Sequence, residues 1–448
     1  MKTTLTMFSV VVCFSTVAFS QNAVPDLLRE AFARPRMSID RFQQLALANN
    51  PTLQQAGALV RRSSSQARQQ GLWPNPVVGY EGEQIRGGEY GGGEQGAFIQ
   101  QTFVLGGKLG LRKNVFNEQR KAEEIGATEQ RYRVLSDIGQ RYYAALAAQT
   151  AVNLRRELLA IALEAQQTAH QLQNVGQADA PDVLEAEVEA GQAQLEYTTA
   201  QRRYIQEFQS LAALAGKPDL PLAPLSGDLE HPPQLDPDRI LKQILQNSPS
   251  VKRAQQDVSR AEAEQKAAGR ESIPDLTIRA GLQQNYERLD PAMPTPVGAQ
   301  GFAMASIGIP VFNRNQGNVA AANADVERAR SEVARVRLGL RQSAQALLQL
   351  YLANQAQAAR YRDEIIPRAQ RAYELYLDRY RSMAAAYPSV IVSQRTLFQL
   401  RITYIEVLQQ LWSEAIALEN YTLSDGLSAV ISGDPANSQL NRPGGGEQ

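Results

Sequence analysis

The hydrophobic positions of this 448-residue chain follow two different spacings, and the same succession of segments occurs twice. In each half the spacing is helical, changes to a period of two over two short segments, and becomes helical again over a much longer stretch. Landmark residues repeat at one constant offset: Asp40-Arg41, Asn49-Asn50-Pro51 and Pro76 in the first half match Asp238-Arg239, Asn247-Ser248-Pro249 and Pro274 in the second. The pattern predicts a two-fold internal repeat.

Each half is predicted to contain a short helix, a very long helix and a final helix of medium length. The short helices begin at Asn50-Pro51 and at Ser248-Pro249, where a polar cap is followed by proline in the first helical turn. The long helices run from about Lys108 to Asn174 and from about Gln316 to Met383, and each would extend ~100 Å as continuous helix. The final helices are predicted at about Ala180 to Ala215 and Ser389 to Leu423.

The long helices have the spacing of coiled coils, with steps of four and three residues. Pro367 interrupts the second long helix and is predicted to kink it. In each half the short and final helices together have about as many residues as the long one, so that two helices stacked end to end are expected to lie beside it in a cylinder wall. The periodic positions are Leu135, Ile138, Tyr142 and Ala145 in the first long helix and Leu340, Ala344, Leu347, Tyr351, Asn354, Ala358, Tyr361 and Ile365 in the second.

Between the short and the long helix of each half, the pattern predicts two β-strands. Leu276, Ile278, Ala280 and Leu282 alternate with polar or small residues that include Arg279, so that one face of this strand is apolar and the other polar. The comparable segments are 302–309 in the same half and 78–83, which carries Glu81, and 97–103 in the first. The alternative interpretation of such alternation is a pair of surface hairpins in a soluble protein, because single transmembrane strands give weak signals.

The first twenty residues have the composition of a secretory signal peptide. Lys2 is their only charged residue, an apolar run covers residues 7–19, and Ala18 and Ser20 precede the predicted cleavage site. A signal anchor is the alternative, although the apolar run is short for a membrane span.

The single cysteine, Cys13, lies within this segment. Lipidation of Cys13 would require a small residue before it, and Val12 is not small. Without Cys13 the mature chain has no thiol, which excludes disulfides and cysteine metal ligands. The predicted organisation is a signal peptide over 1–20, an N-terminal extension over 21–37, a first repeat over 38–229, a second repeat over 230–430 and a polar, disordered tail over 431–448.

The charge pattern and the absence of long apolar runs restrict how this chain works. Lys plus Arg and Asp plus Glu each number 46 and are spread along the chain, which gives no support to nucleic-acid binding. Beyond Ser20 no run approaches eighteen consecutive apolar residues, so an exported chain of this kind can cross a membrane only as β-strands closed into a barrel. Because a bacterial barrel needs at least about eight strands and one chain supplies four, one chain cannot span a membrane alone, and an oligomer is predicted; three copies would supply about twelve strands.

Three short motifs resemble the TolC-like outer membrane efflux family, and within it the cobalt–zinc–cadmium type branch of cation efflux. Leu105-Gly106-Gly107-Lys108 ends the first hairpin, the segment from Ile309 to Asn318 ends the second, and Val175-Gly176-(x)-Ala178-(xxx)-Asp182-Val183-Leu184 resembles the family's first periplasmic turn. The resemblance implies a mainly α-helical fold with a small β part: a long coiled helical barrel, and four strands per chain that contribute to a trimeric, twelve-stranded transmembrane β-barrel in outer membrane lipid.

The same resemblance implies a function. The protein would be a passive exit duct in the outer membrane that extends into the periplasm. It would receive metal cations or other small toxic solutes from an inner membrane pump through a periplasmic adaptor protein, and it would catalyse no reaction.

The resemblance also places functional residues at two helix turns. Asp179, Asp182 and Glu185 would form a threefold ring of carboxylates at the tunnel mouth that favours cations. The same acids lie at a helix start, where carboxylates cap free amides and stabilise the dipole, and both interpretations can hold together. The second turn lacks the carboxylate and the basic partner that are usual there, so its gating link must be built differently. The expected adaptor-docking residues are Val175, Gly176, Val183 and Leu184 in the first turn and Ala385, Ala386, Pro388, Ser389 and Val390 in the second.

The sequence predicts neither a cofactor nor a metal site nor a catalytic centre. His170 and His231 are the only histidines and lie far apart, whereas a tight transition-metal site needs clustered ligands. The glycines of residues 87–93 lie in a hairpin loop rather than between a strand and a helix, which disfavours a nucleotide site, and no convergent polar site supports a secreted hydrolase. The competing function is a soluble periplasmic helical scaffold or adaptor with two decorative hairpins. The exported substrate cannot be derived from the residues, because selection belongs to the pump.

Overall fold

Two similar halves make up the chain in the computed structural model, which describes residues 27–85, 93–176, 178–287, 295–382 and 387–428. The first half contains α1 (Arg29–Phe32), α2 (Ile39–Asn49), α3 (Pro51–Gln70), β1 (Val77–Glu83), β2 (Glu94–Phe103), α4 (Lys108–Asn174) and α5 (Ala180–Leu214). The second half contains α6 (Pro237–Asn247), α7 (Pro249–Arg270), β3 (Leu276–Asn285), β4 (Gly298–Ile307), α8 (Gln316–Arg360), a π-helical turn (Tyr361–Ile365), α9 (Ile366–Arg381) and α10 (Tyr387–Glu419).

The prolines divide the beginning of each half into two helices. The predicted helices that begin at Pro51 and Pro249 are confirmed as α3 and α7. At the start of α3, the Asn50 side chain accepts a hydrogen bond from the Thr52 backbone N–H at 2.9 Å. The eleven-residue helices α2 and α6, which end just before these caps, were not predicted. They end there because proline lacks an N–H and disfavours helical geometry in the residue before it.

The long helix α4 packs against helices from both halves, namely α3 and α5 of the first and α7 and α10 of the second. It has 67 residues and extends about 100 Å, as its periodicity predicted. The predicted positions Ile138, Tyr142 and Ala145 are buried in the main hydrophobic core. The fold is therefore a bundle of long helices rather than two separate domains.

The helix α8 buries Leu340, Ala344, Tyr351 and Ala358, as the coiled-coil spacing predicted. Leu348 is buried, however, whereas the predicted Leu347 is only partly buried. Leu348 lies four residues after Ala344 and three before Tyr351, so it shares their face, because the buried stripe of a helix is wider than a single coiled-coil seam.

The irregularity predicted at Pro367 begins one turn earlier, in the π-helical turn Tyr361–Ile365. A proline ring clashes with the carbonyl four residues before it, and here that residue is Asp363, in the middle of the π-helical turn. The wider turn accommodates the ring, and α9 continues from Ile366.

Two buried tyrosines make equivalent contacts in the two halves. The Tyr142 hydroxyl on α4 donates to the Met37 carbonyl at 2.9 Å, just before α2. The Tyr351 hydroxyl on α8 accepts the Leu235 N–H at 3.1 Å, just before α6, and donates to the Pro233 carbonyl at 2.8 Å. Met37 and Leu235 are separated by the offset of the repeat, so the predicted two-fold repeat is confirmed in three dimensions.

Some helix faces that point away from the chain's own core are apolar and exposed. On α5 these residues are Leu184, Val188 and Leu195, and on α8 they are Leu338 and Leu350. Among the helices of the described ranges, none combines the length with the apolar character that a membrane span requires.

Candidate functional site

The four strands of the two halves form one antiparallel sheet in the order β1-β2-β3-β4. The strands β2 and β3, from different halves, pair over their full length from Glu94↔Asn285 to Phe103↔Leu276. Within the described chain, β1 and β4 are the two edges of this sheet. An edge strand presents a row of backbone N–H and C=O groups that can pair with another chain.

One face of the sheet is apolar and exposed. It carries the predicted set Leu276, Ile278, Ala280 and Leu282, which alternate along β3 and therefore share a face. Ile278 is 41% exposed and Leu282 76% exposed. Val78, Tyr80 and Ile99 on the neighbouring strands lie on the same face by register and are also exposed.

The opposite face is polar and held together by contacts between strands. Arg279 on β3 forms an ion pair with Glu81 on β1. Glu94 on β2 accepts hydrogen bonds from the side-chain amides of Gln283 at 2.5 Å and Asn285 at 2.7 Å. The division of the sheet into an apolar and a polar face, clearest in the sequence of β3, thus extends to β1 and β2.

Two aromatic rings, not predicted from the sequence, also lie on the polar face. The ring of Phe98 lies over Gly79 and that of Phe302 lies over Gly281, so close that a Cβ at either glycine would come within 2.7 Å of ring carbons. The Arg279 guanidinium carbon is 3.8 Å from the centroid of the Phe98 ring. The signal that could have indicated this arrangement is a glycine in the first strand of each hairpin, opposite a phenylalanine in the second strand.

The residues Leu105 to Lys108, which carried part of the family resemblance, connect the sheet to the helices. Lys108 is buried, donates from Nζ to the Ile273 carbonyl at 2.9 Å and forms an ion pair with Asp275 at 2.6 Å. The other carboxylate contact of Asp275 is with the Leu105 N–H at 3.1 Å. The motif thus joins the end of the first hairpin to the beginning of the second.

The corresponding connection in the second half uses Asn315. Its backbone is left-handed, with φ of 61°, and its side-chain amide donates to the Ala268 carbonyl at 2.8 Å. The side chain thereby links the start of α8 to the end of α7. Asparagine tolerates the left-handed region better than most residues, which explains its use at this junction.

The first turn, between α4 and α5, contains the predicted carboxylates. The Asp179 side chain caps α5 by accepting the Asp182 N–H at 3.3 Å. Asp182 is half-buried, whereas Glu185 is exposed. This hydrogen bond supports the interpretation of Asp179 as a helix cap. The threefold ring of carboxylates at the tunnel mouth remains a prediction.

The predicted docking residues of the first turn divide into an exposed and a buried set. Val175 and Leu184 are exposed by 67% and 60%, and Gly176 is also exposed. Val183 instead packs in a small cluster with Ala169 and Ala186. Val183 thus holds the turn together, and Val175 and Leu184 face outward.

The second turn begins α10. Ala385 and Ala386 lie outside the described residues. Pro388 is exposed, Ser389 is half-buried, and Val390 is buried. Between α9 and α10 lies a groove of about 370 Å³, whose lining includes Ala372, Tyr376, Pro388, Ser389 and Val392.

An ion pair that the sequence did not reveal joins the helices of the two turns. Arg395 on α10 pairs with Glu189 on α5, and the hydrogen bond that the Arg395 guanidinium donates to this carboxylate raises the pKa of Arg395. The pair lies ten residues after Asp179, about 15 Å along the helix. A second contact, between His170 Nε2 and Glu187 Oε1 at 3.2 Å, joins α4 to α5 in the same region.

The sequence profile of the outer membrane efflux protein family matches residues 43–217 and 240–422. The chain belongs to this family. The two matched segments coincide with the two halves of the fold, so each half carries one copy of the family's structural unit.

Relatives of this outer membrane efflux protein include proteins of metal resistance. The cobalt-zinc-cadmium resistance protein CzcC of Cupriavidus metallidurans is 26% identical over 398 residues, which cover 88% of this chain and 92% of that protein. The nickel-cobalt-cadmium resistance protein NccC of Alcaligenes xylosoxydans xylosoxydans is 26% identical over 313 residues, covering 69% and 68% of the two chains. A crystal structure of CusC has the same fold, with a TM-score of 0.71 at 17% identity over 91% of this chain and 96% of that one.

Membership in the outer membrane efflux protein family decides between the two functions inferred from the sequence. The protein is an outer membrane efflux channel subunit that extends into the periplasm, and the soluble scaffold or adaptor is ruled out. Proteins of this family are channels rather than enzymes and act in efflux systems.

The histidines of this efflux protein do not come together. His170 lies near the first turn beside Glu187, and His231 contacts Asp228 in the segment between α5 and α6, where the hydrogen bond to His231 lowers the pKa of Asp228. In the part of the chain that the structure describes, no group of three or more His, Cys, Asp or Glu residues is arranged to hold a metal ion.

Proposed function

We propose that three copies of this chain form a passive exit duct for metal cations in the outer membrane. The duct catalyses no reaction and binds no cofactor. It takes its cargo from an inner membrane pump through a periplasmic adaptor protein. The observation that carries this proposal is the two-faced sheet with an edge strand on either side.

The requirement to close the sheet makes the chain an oligomer, and the resemblance to the TolC-like family sets the proposed number of copies at three. A sheet in lipid must pair all of its backbone groups, which only a closed barrel achieves. Four strands are half of the roughly eight that the smallest bacterial barrels contain. In three copies, β4 of each chain can pair with β1 of the next to give a twelve-stranded barrel with its apolar face toward lipid. The exposed apolar residues Val188 and Leu195 of α5 provide a further surface for a neighbouring copy.

Two observations support metal cations as the proposed cargo. The relatives CzcC and NccC are named for resistance to cobalt, cadmium, zinc and nickel. In addition, the polar face of the sheet carries three carboxylates, Glu81, Glu83 and Glu94, against the single cation Arg279. A lumen with excess negative charge concentrates cations without holding them at a fixed site.

The adaptor is proposed to dock at the two turns that end the helical part. Val175 and Leu184 offer exposed apolar side chains at the first turn. At the second turn, the groove between α9 and α10 is mainly apolar and is lined by Pro388, Ser389 and Val392. The Arg395–Glu189 pair is the proposed gating link that holds the two turns together in the closed state.

The assembly is tested with the full chain expressed with its leader in a bacterium that lacks its own metal-efflux duct. We expect the protein to sediment with outer membranes and to migrate as a trimer in native mass spectrometry of the detergent-extracted material. Together with a cobalt–zinc–cadmium pump and adaptor, it should raise the zinc concentration that the cells tolerate. A monomer released with the periplasmic fraction would refute the duct, and a membrane trimer that does not change metal tolerance would refute the metal cargo.

Replacing the carboxylates of the first turn tests whether they act on ions or only cap the helix. In Asp182→Asn the charge is lost, and we expect the preference for K⁺ over Cl⁻ in planar bilayers to fall about twofold, because three charges are removed around the mouth. Asp179→Ser is the matched variant, since serine also caps helices but carries no charge. It should leave stability within ~0.5 kcal/mol and lower the preference similarly. Wild-type selectivity in both variants would show that these acids act only on the helix and not on passing ions.

A further inference from the structure

The four strands contain one basic residue, Arg279, and it contacts all three of the other strands. It forms an ion pair with Glu81 on β1, and its guanidinium carbon lies 3.8 Å from the ring centroid of Phe98 on β2 and 5.7 Å from that of Phe302 on β4. The polar face therefore has one arginine at its centre, bound to a carboxylate and covered by aromatic rings.

This arrangement holds the Arg279 side chain against the polar face of the sheet. The rings of Phe98 and Phe302 can lie across the sheet because Gly79 and Gly281 have no side chains beneath them. Arg279 Nε is buried and has no hydrogen-bond partner in the described part of the chain. A buried N–H of this kind costs free energy, which the contact with the aromatic ring offsets only in part. Sheet pairing alone does not require such a costly group, which points to a role in what passes along this face.

We infer that the Arg279–Glu81 pair determines the charge selectivity of the sheet-lined part of the duct. The inference rests on the proposed trimer with its polar face toward the lumen. The pairing neutralises Arg279, so that Glu83 and Glu94 set the net charge that a passing ion meets. Three arginines without carboxylate partners around one lumen would repel cations, whereas the paired form leaves the lumen favourable to them.

Opposite shifts in selectivity test this inference. In Glu81→Gln trimers the arginine charge is uncovered, and the permeability ratio of K⁺ to Cl⁻ should fall about two- to fivefold; in Arg279→Gln trimers it should rise by a similar factor. The double variant Glu81→Gln/Arg279→Gln has the same net charge as the wild type and should restore the wild-type ratio. The ratios are obtained from reversal potentials of purified trimers in planar bilayers under a KCl gradient.

The possible outcomes distinguish a pair that has no role in selectivity from a protein that does not form the proposed duct. Channels of all three variants that keep the wild-type ratio would overturn the inference and make the pair a structural contact only. Should Glu81→Gln fail to assemble, Arg279→Gln and the double variant still test it, because they differ only at position 81, and equal ratios in those two would also overturn it. A wild-type protein that forms no channels at all would instead contradict the proposed duct.

Discussion

Arginine at both Ile278 and Leu282 should abolish assembly of the protein in the outer membrane. These side chains are exposed on the apolar face of β3, Ile278 near the start of the strand and Leu282 just past its middle. An arginine that faces lipid costs about 2–4 kcal/mol near the bilayer midplane, and three copies of two substitutions multiply this cost within one barrel. We expect trimers in outer membrane fractions, measured by native electrophoresis and immunoblotting of fractionated cells, to fall by more than about tenfold.

The matched control places the same two charges on the other face of the sheet. Gln300 and Ser306 on β4 lie on the polar face by register with Gln283 and Thr277. Gln300→Arg/Ser306→Arg should therefore assemble at close to wild-type yield, because the new side chains face water in the lumen. Equal yields of the two double variants would mean that the two faces do not differ in what they contact, and the lipid-facing assignment of Ile278 and Leu282 would be wrong.

The faces of the sheet could be predicted from the sequence because a strand has a side-chain period of two. Once Leu276, Ile278, Ala280 and Leu282 were recognised as alternating, the position of Arg279 on the opposite face followed without further information. The pairing of β2 with β3 did not follow, since it joins residues from different halves of the chain. The contact of Arg279 with Phe98 depends on that pairing and therefore emerged only from the structure.

The helical part shows the same division between local and distant information. The boundaries of α4 were predicted because a long periodic pattern and a turn with glycine at each end are local signals. The helix α6 was missed although Asp236 and Pro237 form a cap and Ile240 and Ile244 share its buried face. Eleven residues contain only three turns, so its periodicity is short compared with the patterns around it.

The link at the second turn illustrates what periodicity cannot supply. The sequence of this turn lacks the carboxylate and the basic partner that are usual in the family. Arg395 and Glu189, which form the ion pair near the turns, are 206 residues apart and lie on helices that approach only in the folded chain. Both residues read locally as ordinary solvent-exposed charges on helix surfaces, which is why the sequence did not distinguish them.

Replacing Lys108 with methionine should cause a large loss of stability at the junction between sheet and helices. Lys108 is 4% exposed, and its removal leaves Asp275 with a charge that its remaining neighbours satisfy poorly. Loss of one partner of a buried pair costs about 3–5 kcal/mol; because Asp275 keeps about a third of its surface exposed, we expect about 2–3 kcal/mol here. The loss is measured as a lower apparent melting temperature of the detergent-solubilised protein, followed by circular dichroism.

The control for this variant is Lys121→Met, which makes the same chemical change on the same helix. Lys121 pairs with Glu118 at 2.8 Å, but its side chain is half exposed, so the pair is worth less than about 1 kcal/mol. The difference between the two variants therefore isolates the effect of burial from that of charge. Because Lys108 joins the end of one hairpin to the start of the other, its loss should also reduce trimer yield, whereas Lys121→Met should leave it unchanged. Similar melting temperatures for both variants would show that the junction is held by the backbone turns of residues 105–107 and not by the buried ion pair.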